Sequence, residues 1–352
     1  LICSVKNTIL ASVSKSLMQF KTIVHYLFIS EITMKRIGLL CSGADAPGMN
    51  AFIRSVIRSA EAKKIEIIGI SQGFKGLVEE QFKLVTRMDT ANIVGTGGTI
   101  LKTGVYEQFM DPANRAIAAL NLKKAGIDGL IGCGGIGLLK GLHALAKEHN
   151  ISVVGAPATI DNDIYGTDYT IGYDTALNTA ADAIDRIRDT AESEGNVYII
   201  EVMGSEAGYI AINVGIGCGA EYIAIPETIT NIPDLHRRIT TRQKNKRYII
   251  VIGEGDEVGG GIDLANILKD SYNIDSSVAV LGALQKGGRP SIADRVLASR
   301  LGSAAIDAML SGNVNAMVGI VNGTIQHTPL PMTFDRKKIL PDYLVSLSDL
   351  LA

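Results

Sequence analysis

From Lys35 onward the chain repeats one unit: a short apolar run, a glycine-rich loop, then a segment whose apolar residues recur at helical spacing. KRIGLLC passes through SGADAPGMN into NAFIRSVIRSAEAKK, GLIGCGG opens LLKGLHALAKEH, and ISVVGAP precedes the long ALNTAADAIDRIRDTAES. EIIGIS, NIVGTGG, VYIIEVMG, GYIAINVGIG, EYIAIPE, RYIIVIGEG and AVLGALQKGG continue the series, with further helical stretches at AIAALNLKKAG and AIDAML. Strands and helices alternating at this spacing form βαβ units, whose right-handed crossovers build mostly parallel sheets. The fold class is α/β. With 38 glycines in 352 residues, several strand ends let the backbone approach a ligand closely.

A chain of this length is expected to form two domains. Breaks near Gly172–Asp174 and Gly287–Pro290 assign 34–171 plus about 285–334 to one, and 172–284 plus about 335–352 to the other. A formal charge of −2 argues against a general nucleic-acid or membrane-surface binder. Cys3, Cys41, Cys133 and Cys218 form no CxxC pair and read as buried thiols of a cytoplasmic protein rather than a disulfide or metal framework. Residues 1–33 begin with Leu and carry an apolar stretch, IVHYLFI, too short to span a bilayer. They read as an extra segment, translated upstream sequence or a weak presequence, ahead of Met34.

Two glycine loops, Cys41 to Asn50 and Ile131 to Lys140, each follow an apolar run and open a helix, so their backbone N–H groups can face an anion. The second loop carries Ile136 and Leu138, which offer a magnesium–phosphate group no oxygen ligand. The strongest polar constellation runs from Ala158 to Ala176. There one of the two carboxylates, Asp161 or Asp163, can take a proton from a hydroxyl while the other helps orient a metal or a phosphate donor, or else the same residues form an Asx-rich turn that starts the next helix. Glu254 and Glu201 are candidate partners for sugar hydroxyls, Met203 can line the same wall, and the strand-end stretch AVLGALQKGG offers Lys286 as its only cation. Arg54 and Arg58 lie at i,i+4 on one helix, a mildly repulsive spacing that a shared anion would relieve and that a solvated helix face also permits.

DAPGMN (Asp45 to Asn50), TIDNDI-GTDYTIG (Thr159 to Gly172), AIDRIRDT, EVMG, QKGGRP and DR-LASR-G together resemble the bacterial-type ATP-dependent 6-phosphofructokinase family from about Met34 to the end. That resemblance implies two Rossmann-like domains with mostly parallel sheets, a homotetramer, Mg²⁺ and ATP, and transfer of the γ-phosphate of ATP to the 1-hydroxyl of fructose 6-phosphate. It also implies an effector site for ADP or phosphoenolpyruvate. The family's catalytic base falls on Asp161, with Asp163 and Thr159 beside it, and sugar-binding positions fall on Met203 and Glu254. Several family cations are replaced: Asn196, Ser205, Ser277, Ala283 and Lys286 stand where the family carries Arg or His. On the donor side, matching nucleotide positions are Gly43, Ala44, Val105, Ile136 and Gly137, three of them side-chain substitutions. The family's magnesium position thus lacks its acid. Effector positions fall on Arg54, Arg58, Arg87, Arg188, Glu221, Lys244 and Lys246. The combination reads as a homologue impaired in catalysis that serves as a regulatory or effector-sensing subunit, as a homotetramer or assembled with an active paralogue. The alternatives are a working 6-phosphofructokinase with Asp161 as base, or a kinase for a different sugar.

Overall fold

The computed structural model describes residues 34–241 and 247–351. The extra segment 1–33 and two expected effector lysines, Lys244 and Lys246, lie outside the described residues. Residues 35–352 form one compact unit. The strands are β1 (Arg36–Ser42), β2 (Glu66–Ile70), β3 (Phe82–Val85), β4 (Gly129–Gly134), β5 (Ser152–Pro157), β6 (Val197–Val202), β7 (Tyr222–Ala224), β8 (Tyr248–Gly253), β9 (Ser276–Val280), β10 (Ala316–Val321) and β11 (Thr324–Pro329). The helices are α1 (Met49–Ala62), α2 (Gly73–Val78), α3 (Pro112–Lys124), α4 (Ile136–His149), α5 (Tyr173–Glu194), α6 (Tyr209–Gly217), α7 (Ile232–Thr241), α8 (Gly261–Tyr272), α9 (Ile292–Leu310), α10 (Met332–Asp335) and α11 (Asp342–Leu351).

One seven-stranded sheet has the order β11-β10-β5-β4-β1-β2-β3, and a four-stranded sheet the order β7-β8-β6-β9. The smaller sheet is wholly parallel; in the larger, only the edge pairs β10/β11 and β2/β3 run antiparallel. Strands β1, β4 and β8 are near-continuous apolar runs because helices cover both faces. In the larger sheet β1 pairs with β4 so that Ser42 lies opposite Gly134, which brings the two glycine loops side by side at the carboxyl ends of their strands.

Two segments in the apolar series differ from strands. GYIAINVGIG forms helix α6, whose Tyr209, Ile210, Ala211, Ile212 and Val214 are all buried. A helix apolar on every side suits a buried position and carries no polar stripe to betray its period. NIVGTGG is a run of turns held by Asn50, whose amide donates to Thr96 O and Gly97 O and whose carbonyl accepts from Ile100 N at 2.8 Å.

Candidate active site

A cavity of about 510 Å³ lies at the carboxyl ends of β1, β4 and β5, and residues from the strand ends of the smaller sheet also line it. Thr159, Asp161, Asp163, Met203, Glu254 and Lys286 all line it, as do Gly43, Ala44, Val105, Ile136 and Gly137. The structure therefore gathers the expected catalytic, sugar-side and nucleotide-side residues in one wall-to-wall site. Glu201 is not part of that lining: its carboxylate accepts from Gly261 N at 2.7 Å, at the start of α8.

The two aspartates are presented by the loop between β5 and α5. The Asx-turn reading applies to the residue between them. Asn162 is buried in the left-handed region at φ 54°, where its amide donates to Asp168 O at 3.2 Å and its carbonyl accepts from Thr170 N at 3.0 Å. With Asn162 turned inward, Asp161 and Asp163 are both left facing the cavity. Thr159 Oγ1 donates to the Asp161 carboxylate at 3.2 Å, and Thr170 Oγ1 donates to Thr159 O at 2.6 Å. Burial, reinforced by the charges of Asp163 and Glu254, pushes Asp161 up to about 6, against the opposing pull of Thr159 and Lys286. Burial also raises Asp163, while the Lys338 ammonium pulls it back. A carboxylate that titrates near neutrality inside a cavity is suited to accept a proton.

Glu254 follows β8 and accepts from Ser205 N at 2.8 Å and Gly204 N at 3.3 Å, which fixes the Met203–Ser205 turn across the cavity. The turn passes so close to Gly255 that a Cβ there would meet Ser205 O at 1.9 Å, so glycine is required. Met203 N in turn donates to the fully buried Gln285 at 2.9 Å, next to Lys286.

The other end of the cavity is apolar. Phe74 and Phe109 stack with centroids 3.9 Å apart, and Tyr106, Met110, Val105, Ile136 and Leu138 complete the wall. Leu138 is a core side chain, 1% exposed, which fills the space above Gly132 and Gly134 of β4. The loop before α4 has no side-chain cap, so its amides stay open, and a Cβ at Gly137 would meet nothing within 4 Å. Gly43, at φ 96°, makes the corresponding turn after β1. Glycine amides at the N-terminus of a fourteen-residue helix and an aromatic wall fit a nucleotide's phosphates and ring. Magnesium does not fit at position 136: an alkyl group supplies no oxygen, and among the described residues no three His, Cys, Asp or Glu gather as a metal site.

The expected effector residues lie elsewhere. Arg58 is lowered by partial desolvation and by the neighbouring charges of Arg54 and Arg87, so these three cluster, with Arg87 also 3.5 Å from Glu61. Arg54 Nε and Arg58 Nε are buried without a hydrogen-bond partner, as are Arg188 Nε and Nη2. Arg188 belongs to α5, near Cys218 and Gly219. Glu221 is already committed: its carboxylate accepts from Ile249 N at 2.7 Å and faces Arg247 at 4.0 Å.

Sequence reasoning missed three supports of the site. Asp294 of α9, 1% exposed, accepts from Gly172 N and Thr175 N at 2.8 Å each and so caps α5 from a distant element. It lies inside the quoted DR-LASR-G pattern, where its polarity at a helical core position was the available signal. Asn162 carried a signal in its place between two acids. Lys338 carried none, because its 170-residue separation from Asp168 is bridged only in three dimensions.

The phosphofructokinase family profile matches residues 36–309. ATP-dependent 6-phosphofructokinase 1 of Thermus thermophilus is 46% identical over 321 residues, covering 91% of this chain and 100% of its own. ATP-dependent 6-phosphofructokinase 2 of Bacteroides thetaiotaomicron is 44% identical, covering 90% of this chain and 98% of its own. The crystal structure of Pichia pastoris phosphofructokinase in the T-state superposes with a TM-score of 0.79 at 30% identity over 86% of this chain, which spans 37% of that longer one. These relatives favour the expectation of a working kinase over that of a silent subunit. The chain belongs to the phosphofructokinase family.

Proposed function

We propose that the chain carries out the family reaction, transfer of the γ-phosphate of ATP to the 1-hydroxyl of fructose 6-phosphate, with Asp161 as the general base. The observation that carries this reading is the Asp161 carboxyl, held by Thr159 in the cavity wall and raised to about 6 by burial and by Asp163 and Glu254. Asp161 takes the hydroxyl proton as the oxygen attacks, Glu254 and Met203 orient the sugar, and Lys286 offsets negative charge beside them. The amides of Gly135 and Gly137 and the Phe74–Phe109 wall hold the nucleotide. Ile136 adds no oxygen ligand for a metal at the start of α4.

The test is steady-state phosphorylation of fructose 6-phosphate by Mg-ATP, with protein expressed from Met34 in a host lacking its own phosphofructokinase. Turnover of order 1–100 s⁻¹, as for kinases generally, is the expected result. Turnover no higher than that of Asp161→Asn overturns it.

A second reading has its own support: an impaired, effector-sensing subunit. The partnerless guanidinium nitrogens of Arg54, Arg58 and Arg188 are costly unless an anion meets them, whereas among the described residues lining the cavity Lys286, on the sugar side, is the one Lys or Arg. Calorimetric binding of ADP or phosphoenolpyruvate, lost in Arg54→Ala and present without turnover, would favour this reading. Co-purification with an active paralogue would identify its assembly.

A further inference from the structure

A cation from the far end of the chain reaches the loop that carries both aspartates. Lys338 follows α10 and is half-buried; its Nζ donates to Asp168 O at 2.8 Å. The same carbonyl accepts from the Asn162 amide at 3.2 Å. One oxygen therefore joins Lys338 to the residue whose left-handed turn sends Asp161 and Asp163 to the cavity. A backbone bridge between Ile164 and Lys337 fastens the same two segments side by side.

Charged and aromatic groups from several segments face the Lys338 ammonium. Asp163 and Asp168 face it from the loop, Tyr209 of α6 places its ring 5.0 Å from Nζ, and Arg336 and Lys337 flank it in sequence. Arg336 is turned aside onto Tyr165, whose hydroxyl it reaches at 3.2 Å. Lys338 is thus the cation that acts on Asp163, while Lys286 acts on Asp161. Lys338 also lines a second cavity of about 530 Å³, with Tyr165, Thr167 and His327, so this loop is a partition with Asp163 on one side and Lys338 on the other.

We infer that Lys338 is a positioning residue for the catalytic carboxylates: through Asp168 O it locks the Asn162 turn, and it sets a positive charge opposite Asp163 on the far side of that loop. This inference rests on the proposed phosphoryl transfer by Asp161. Burial brings Lys338 down to about 8, against the opposing charges of Asp168 and Asp163, so its charge is present at neutral pH and fades above that value. Activity is then expected to fall on the alkaline side as the lysine loses its proton.

The experiment compares Lys338→Met and Lys338→Arg with the full chain. Lys338→Met is expected to lower kcat about tenfold or more with a smaller change in KM, and to move the acid limb of the pH profile upward by about one unit as the carboxylates lose their cation. Lys338→Arg, which stays charged at every working pH, is expected to recover most of kcat and to abolish the alkaline limb assigned to the lysine. A profile unchanged in Lys338→Met, with kcat near that of the parent chain, overturns the inference. So does a uniform loss of kcat with both limbs in place, which is what a purely structural lysine would give. A readout independent of turnover separates this inference from the reading on which it rests. The ¹³Cε shift of Lys338 is followed against pH in the parent chain and in Asp163→Asn. Titration at lower pH in Asp163→Asn supports the pairing even if the parent chain proves inactive, and an identical titration in both overturns it.

Discussion

The two ends of the cavity are built differently. At the acceptor end, Asp161, Asp163, Glu254 and Lys286 remain polar, and backbone or hydroxyl donors fix two of the carboxylates in place. At the donor end, Phe74, Phe109 and Leu138 belong to the hydrophobic core itself, and Ile136 packs against that core. Leu138 fills the volume above Gly132 and Gly134. The acceptor end holds its acids against a desolvation cost, whereas the wall of the donor end is continuous with the core. Phosphoryl transfer draws on both, since a base is of little use unless charge on the transferred group is also stabilised.

The sharpest way to break this contrast is to remove the proposed base. Asp161→Asn keeps the volume and the contact with Thr159 but cannot take a proton. Turnover is expected to fall by roughly 10²–10⁴, the range for loss of a general base, with KM little changed. Equal turnover in both proteins would show that the acceptor end is not the seat of chemistry. The next largest effect lies at the donor end and is a stability effect. Leu138→Ser empties a fully buried site over two strand glycines and leaves a hydroxyl there, so it is expected to cost about 2–4 kcal/mol in urea denaturation. A cost below about 0.5 kcal/mol, the level of a neutral surface change, would mean that Leu138 is not a core element.

Much of this architecture was legible in the sequence because glycine loops and apolar runs report local geometry. The parallel strands β1, β4, β5, β6 and β8 and the loop aspartates follow from such local signals. Helix α6 escaped because burial on all sides erased its amphipathic period. The acids Asp161 and Asp163 were visible as a pair, but the device that aims them was not. Asn162 acts through Asp168 and Thr170, and Asp294 and Lys338 act from 119 and 170 residues away. Residues that perform chemistry announce themselves by type, whereas residues that hold them depend on long-range contacts with no sequence period.

The same Asp161 gives a thermodynamic test of how the acceptor end is held. Its folded value, about 6, lies above the ordinary carboxyl value, so the folded state binds this proton more tightly than the unfolded state. That contribution to stability is complete below about pH 4 and is lost as pH rises through about 6. At pH 7 the ionised carboxylate is a burden, and Asp161→Asn is expected to stabilise the fold by about 2 kcal/mol, with the difference vanishing near pH 4. Denaturation curves for both proteins at pH 4 and pH 7 measure it. A variant no more stable at pH 7 than at pH 4, relative to the parent, would mean that the acceptor end ionises freely and that its acids are not held against desolvation.

The smallest expected effect bears most directly on the difference between the two ends. Ile136 stands in the first turn of α4 and is only partly buried, so an acid there can reach the cavity without leaving a hole in the core. Ile136→Asp also places a negative charge at a helix N-terminus, where the backbone favours it. If the donor end limits turnover because it lacks an oxygen ligand, this one change is expected to raise kcat/KM for Mg-ATP about tenfold, the effect of one added charge-stabilising contact. If kcat/KM does not move while Mg-ATP binding tightens, the limit lies on the other side of the cavity, which Ser205, Glu254 and Lys286 line. A response in neither quantity would place the donor phosphates away from α4 altogether and remove the basis for dividing the cavity into a polar acceptor half and an apolar donor half.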